Sequence, residues 1–240
     1  MKRTYFYSQR GTSHIKNEIV NQDAAYSMSQ NGVEVLALAD GVGSCRHADV
    51  GAKFVVRYMC AYACSDFEGL ARMSKVDLRD LIMQGFALSC GSVYNYREAL
   101  STLLLVAKKG NQLLVIQIGD GKIILVAKGT SSQVFPDDGL PLNQSYTWAS
   151  EPACFCKTIL DTSRMIAEYM VLCTDGVYKP DRAPVEFNKG FSYLNEAFVL
   201  ELYKREDEEG FQSFIQTVVT ASNGHEYDFD DKTAGLMLLR

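Results

Sequence analysis

The chain has 240 residues, 47% of them hydrophobic and 22% charged, with a formal net charge of −5. That is long enough to bury a core, and the balance is that of a folded globular chain rather than a disordered or fibrous one. A mildly acidic chain with no Lys/Arg cluster is a poor nucleic-acid binder, and no run reaches the roughly 18 apolar residues of a membrane span. Met1 to Arg10 lacks the apolar stretch of a leader peptide, so the expected setting is cytoplasmic, with neither a nucleic-acid nor a membrane partner. The seven cysteines are odd in number, scattered and without a Cys-x-x-Cys pair, and only three histidines accompany them. They read as small buried hydrophobes in a reducing compartment, not as disulfides or a zinc site.

In chain order, Thr4 to Ser8, Ala24 to Met28 and Val33 to Ala39 alternate like strands, with an Asn31-Gly32 hairpin signal joining the last two. Helical regions follow at about Ala48 to Ala63 and Asp77 to Tyr96. In the second, Leu78, Leu81, Ile82, Phe86, Leu88 and Val93 recur near a 3.6-residue period. Thr102 to Ala107, Leu113 to Ile118 and Ile123 to Ala127 form a meander with glycine turns. Asp137 to Ser150 reads as loop, with Trp148 as its anchor to the core. Thr158 to Leu160 and Met170 to Cys173 read as strands, residues 194–203 and 208–220 as helices, and Thr233 to Leu239 as a closing strand. The mixed-charge run from Lys204 to Glu209 reads as a solvated turn between those helices. Short turns between strands imply antiparallel sheets, and paired helices suit a layer on each outer face. The expected fold is an α/β (α+β) four-layer α-β-β-α sandwich of two mostly antiparallel sheets flanked by helix pairs, forming a single domain over residues 1–240.

One feature of position stands out. Asp40, Asp120 and Asp175 each end an apolar strand and are followed by glycine. Asp230 and Asp231 precede the last strand, and Asp23 precedes the second. Any one Asp-Gly pair is ordinary turn chemistry. As a set, these carboxylates would converge where strand ends meet, and like charges packed together resist ionisation unless cations neutralise them. Oxygen-only donors suit Mg²⁺ or Mn²⁺ rather than zinc or copper.

These segments carry a resemblance to the PPM, or protein phosphatase 2C, family. They are Asn21-Gln22-Asp23-Ala24, Ala39-Asp40-Gly41-Val42-Gly43, Ser101-Thr102, Gly119-Asp120-Gly121, Cys173-Thr174-Asp175-Gly176-Val177 and Asp230-Asp231-Lys232-Thr233. Each is weak alone; their order and spacing over nearly the whole chain are specific. The resemblance implies a metal-dependent protein serine/threonine phosphatase that hydrolyses phosphomonoesters by attack of a metal-bridging water, without a covalent intermediate. It implies two Mg²⁺ or Mn²⁺ ions, with room for a third. Asp40 would bridge the core pair, Gly41 would ligate through its carbonyl, and Asp175 and Asp230 would complete one ion. Asp23 would serve the other through water, and Asp120 a weaker third. The implied partner is a phosphorylated protein, in signalling that opposes a serine/threonine kinase.

The chain also departs from its family. Gln22 replaces a glutamate, and Glu18 stands where relatives carry a phosphate-gripping arginine, which leaves Arg10, His14, Lys16 or Arg46 for that role. Val42 replaces a histidine that serves as a general acid elsewhere, and Asp231 stands where most have asparagine. These features point to a divergent, bacterial-type branch. Two other readings stay open at this point: a catalytically silent sensor or scaffold on the same fold, and a hydrolase of small phosphoesters.

Overall fold

In the computed structural model, residues 2–127, 130–136, 140, 144–164, 167–177, 206–221 and 230–239 are described. The strands are β1 (Thr4–Gln9), β2 (Ala24–Gln30), β3 (Val33–Ala39), β4 (Leu103–Lys109), β5 (Gln112–Ile118), β6 (Lys122–Ala127), β7 (Thr130–Gln133), β8 (Cys156–Asp161), β9 (Ala167–Cys173) and β10 (Lys232–Leu238). The α-helices are α1 (Thr12–Lys16), α2 (Ala48–Ser65), α3 (Phe67–Arg72), α4 (Lys75–Ser89) and α5 (Glu208–Ala221). One sheet runs β1-β10-β9-β6-β7 and the other β2-β3-β4-β5-β8, with every pairing antiparallel.

Alternation along single strands shows how the layers form, because successive side chains point to opposite faces. In β5, Leu113 and Val115 face the other sheet, whereas Leu114 and Ile116 face the helices α2 to α4. Leu36, Leu38, Leu104 and Val106 meet Leu172, Met170 and Met237 across the sandwich. On the far side, Tyr5, Val171, Cys173 and Leu236 pack under Phe211, Phe214, Ile215 and Val219 of α5. Central strands buried on both faces read as continuous apolar runs, which is why β5 carries Leu-Leu-Val-Ile. The result is the α-β-β-α sandwich. The helix expected at 194–203 lies outside the described residues, as do Lys204 and Arg205 of the charged turn.

The second helix is shorter than its periodicity predicts. It is capped by Ser74, whose hydroxyl accepts from Asp77 N–H, and it ends at Ser89, with Cys90 as C-cap, rather than reaching Tyr96. Leu88 and Val93 are exposed, so only Leu78, Leu81, Ile82 and Phe86 of the expected face pack inward. The short helix α3 and strand β7 carried too little periodicity to be anticipated. Asn31 and Gly32 both have positive φ, 55° and 73°, as the primed two-residue hairpin requires. Trp148 is fully buried and stacks on Phe86 with ring centroids 5.3 Å apart. All seven cysteines are free. Among the described residues, no helix is long and apolar enough to cross a membrane.

Candidate metal centre

Strand register brings the aspartates to one end of the sandwich. Ala24 pairs with Ala39, so Asp23 and Asp40 flank the same edge of neighbouring strands. Leu103 pairs with Ile118, which brings the Gly119-Asp120-Gly121 turn to that end, and Asp40 and Thr102 are tied to each other twice. Thr102 N–H donates to the Asp40 carbonyl, and Asp40 N–H donates to Thr102 Oγ1, each at 2.8 Å. In the facing sheet, Cys173 pairs with both Lys122 and Ala234, so Asp175 and Asp230 emerge side by side. Antiparallel pairing thus turns a scattered sequence pattern into a cluster drawn from both sheets.

Gly41 forms a bridge with Ser101, and a Cβ there would lie 2.8 Å from the Gln22 carbonyl oxygen and 2.8 Å from Ala48 Cβ. Only glycine lets the turn after β3 pass between the two. Asp23 is buried, and its Oδ2 accepts from Thr174 Oγ1 at 2.8 Å. Thr174 carried no role in the sequence reading, although its place directly before Asp175 was visible there. Asp230 Oδ1 accepts from Asp231 N–H at 2.9 Å. Asp120 is clasped by Ser145, whose hydroxyl donates to Asp120 Oδ1 at 2.7 Å. Nothing in the sequence marked Ser145, which lies 25 residues further along in an irregular segment.

The electrostatics follow from this convergence. Burial pushes Asp40 well above the ordinary carboxylate range, and Asp23, Asp175, Asp230 and Asp120 all add to the rise. Burial pushes Asp23 up to about 8, with Asp231 and Asp175 adding to it and hydrogen bonds from Thr233 and Thr174 opposing. Asp175 is pushed up to about 7 by burial, Asp120 and Asp230, against a hydrogen bond with Asp40. Asp23 Oδ1 and Asp175 Oδ1 are buried without a hydrogen-bond partner. As the side chains stand, among the described residues no three His, Cys, Asp or Glu are arranged to hold an ion. Hydroxyls meet two of the carboxylates instead, Thr174 at Asp23 and Ser145 at Asp120. The donor chemistry nevertheless fits a hard divalent cation: the groups are all oxygen, they repel one another, and two buried oxygens lack partners.

Stability should therefore depend on pH in an unusual sense. A carboxyl raised on folding stabilises fully below its unfolded value near 4, and that contribution is lost as the pH rises through the folded values of about 7 and 8. Chelator-treated protein is expected to melt several degrees lower at pH 8.5 than at pH 5.5, at roughly 2–4 °C per kcal/mol for a chain of this size. Thermal unfolding across that range checks this, and a melting point that climbs with pH would contradict it.

The basic candidates lie around the N-terminal segment and the turn before α2. Arg10 is exposed and donates through a guanidinium nitrogen to the Ile19 carbonyl at 3.3 Å. His14 sits on α1 with Nδ1 2.8 Å from Asp231 Oδ2, while Lys16 and Arg46 are exposed. Glu18 sits at a helix stop. Glu18 adopts φ 57° after α1, with Glu18 N–H donating to the Ile15 carbonyl and Ile19 N–H to the His14 carbonyl. This is the paired-bond helix stop that glycine favours, and Glu18 occupies its left-handed C′ position. Glu18→Gly is expected to stabilise by about 0.5–1 kcal/mol, read as a higher urea midpoint with unchanged slope.

Two antiparallel sheets with carboxylates converging at one end define a carboxylate-centred sandwich protein. A family model described as Protein phosphatase 2C matches residues 10–228, and the chain belongs to that family. No curated protein matches the chain. The solved structure of the S. agalactiae serine/threonine phosphatase is 15% identical, covers 99% of both chains and superposes with a TM-score of 0.65. Serine/threonine phosphatase Stp1 from Staphylococcus aureus is 14% identical over 100% of this chain and 96% of its own, with a TM-score of 0.64. The catalytic domain of the serine threonine protein phosphatase PstP, solved in complex with 2 manganese ions, is 20% identical, covers 99% and 98%, and has a TM-score of 0.62.

Proposed function

We propose that the chain is a Mg²⁺- or Mn²⁺-dependent protein serine/threonine phosphatase, acting as one catalytic domain on phosphorylated proteins in the cytoplasm, opposite a serine/threonine kinase. The observation that carries this reading is the convergence of Asp40, Asp120 and Asp23 from one sheet with Asp175 and Asp230 from the other, each of Asp23, Asp40 and Asp175 held above its ordinary pKa by burial and its neighbours. Such a cluster favours whatever neutralises it. Membership of the protein phosphatase 2C family points to divalent cations as that neutraliser.

On this reading Asp40, Asp175 and Asp230, with the Gly41 carbonyl, would hold the core pair of ions. Asp23 would support them through water, and Asp120 would serve a looser outer position. When bound, the cations would acidify the attacking water and neutralise charge on the phosphoryl oxygens. The chain's own groups do the rest. Thr102 and Thr174 orient Asp40 and Asp23 by hydrogen bonds, and Arg10 or Arg46 supplies the planar fork suited to a phosphate dianion.

The test is hydrolysis of p-nitrophenyl phosphate and of a phosphothreonine peptide with Mn²⁺, with and without chelator. Turnover of both that chelator abolishes is expected. Absence of Mn²⁺-dependent turnover on either substrate sinks the proposal. Turnover of nucleotides in preference to phosphopeptide would redirect it to small phosphoesters.

A further inference from the structure

We propose that Asp231 is a positioning residue that fastens residues 10–23 to the carboxylate cluster, and that only a carboxylate serves there. Its link to catalysis rests on the phosphatase reading above; the fastening itself does not. Asp231 is 2% exposed, directly follows Asp230, accepts two backbone hydrogen bonds and lies against the His14 imidazole. Gly11 N–H donates to Oδ1 at 2.7 Å, Gln22 N–H donates to Oδ2 at 2.5 Å, and His14 Nδ1 stands 2.8 Å from Oδ2. Gly11 is the N-cap of α1, His14 lies within it, and Gln22 immediately precedes Asp23. Both ends of the segment and its middle therefore meet one side chain more than two hundred positions away in sequence.

The local structure of that segment is weak. The helix α1 has five residues, none of them buried, and no side chain caps its start. So short a helix is not stable by itself. The Asn21 amide donates to Ser8 Oγ at 2.8 Å, and Arg10 reaches Ile19, but neither ties α1 to β10. The chemistry also selects aspartate. An asparagine has one acceptor oxygen, and its amide nitrogen would face an N–H, so at least one buried backbone donor would lose its partner. This gives a physical reason for a carboxylate at 231, with the His14 imidazole packed against it. The imidazole belongs to the fastening and not to phosphate contact. Through Gln22 the carboxylate sets Asp23, and through Gly11 it sets Arg10.

The experiment compares Asp231→Asn, His14→Ala and the double variant with the parent. Amide hydrogen exchange over residues 11–22 reads the fastening without any reaction. Faster exchange confined to that segment is expected in Asp231→Asn, and unchanged protection overturns the proposal. Mn²⁺ calorimetry and peptide kinetics at 25 °C read the consequence. We expect Mn²⁺ affinity to fall about 10–100-fold, as for other residues that orient metal ligands, and KM to rise more than kcat falls. A purely structural role would lower the melting point and leave both constants alone. The double variant should be no worse than Asp231→Asn, because both substitutions break one unit. Additive losses, or parental constants in Asp231→Asn, overturn the proposal. If Asp231→Asn does not fold, His14→Ala keeps the carboxylate and both of its backbone donors and is read the same way. A parent that neither binds Mn²⁺ nor hydrolyses phosphopeptide defeats the phosphatase reading instead, and hydrogen exchange still decides the fastening.

Discussion

Asp40→Asn and Asp175→Asn are each expected to lower turnover about 10³-fold or more, because removing a core ligand forfeits several kcal/mol of transition-state stabilisation. Both variants should remain folded. The amide is isosteric with the carboxyl and carries no charge, and Asp40 is a group whose charge burial, Asp23, Asp175, Asp230 and Asp120 all oppose. Removing that charge relieves the cluster, so at pH 8 in chelator each variant should melt at or above the parent temperature. Mn²⁺ should then raise the melting point of the parent but not of the variants, since a ligand that binds only the folded state stabilises it. Near-parental turnover in either variant would remove the residue from the core set. Lost turnover with an undiminished Mn²⁺ shift would move its role from holding ions to the chemistry.

Asp120→Ala should leave the Mn²⁺ affinity of the core pair intact and reduce turnover of an alkyl phosphate by about 10²-fold, the lower end of what proton delivery contributes. Gly119 and Gly121, with φ of 86° and 105°, turn the chain sharply on either side of Asp120. A Cβ at Gly119 would lie 2.3 Å from the Tyr146 carbonyl, so the turn and the 144–150 segment are built against each other. Ser145 holds the Asp120 carboxylate within this arrangement. A loosely held ion at Asp120 would supply an acidic water for the leaving alkoxide, a task that Val42 cannot perform. An aryl leaving group needs little protonation, so the defect should shrink on p-nitrophenyl phosphate. An equal defect on both substrates, or loss of the core ions in calorimetry, would defeat this role.

Much of the fold was legible in sequence because it rests on local chemistry. Strand alternation, the Asn31-Gly32 hairpin and the glycine turns depend on neighbouring residues alone, and strands buried on both faces declared themselves as apolar runs such as Leu113 to Ile118. Helix α4 shows the limit. Leu88 and Val93 fit the period, but the helix stops at Ser89, and periodicity cannot report where partners run out. The segment from Arg10 to Asn21 shows it again, because its shape depends on a carboxylate more than two hundred residues away.

The candidate site divides in the same way. By itself the sequence determined which carboxylates end strands and that their glycines permit tight turns, since both follow from residue type and short spacing. Tertiary structure alone decided what those groups touch. Antiparallel register put Asp23 beside Asp40 and Asp175 beside Asp230, and packing of the two sheets joined the pairs. Burial then raised the affinity of Asp23, Asp40 and Asp175 for protons, an effect that depends on the surroundings in space and not on neighbours in the chain. Thr174, Ser145 and the two backbone donors that meet Asp231 belong to that second class. A hydroxyl or a second aspartate looks ordinary in sequence, and its importance comes from partners that only folding brings within hydrogen-bond distance.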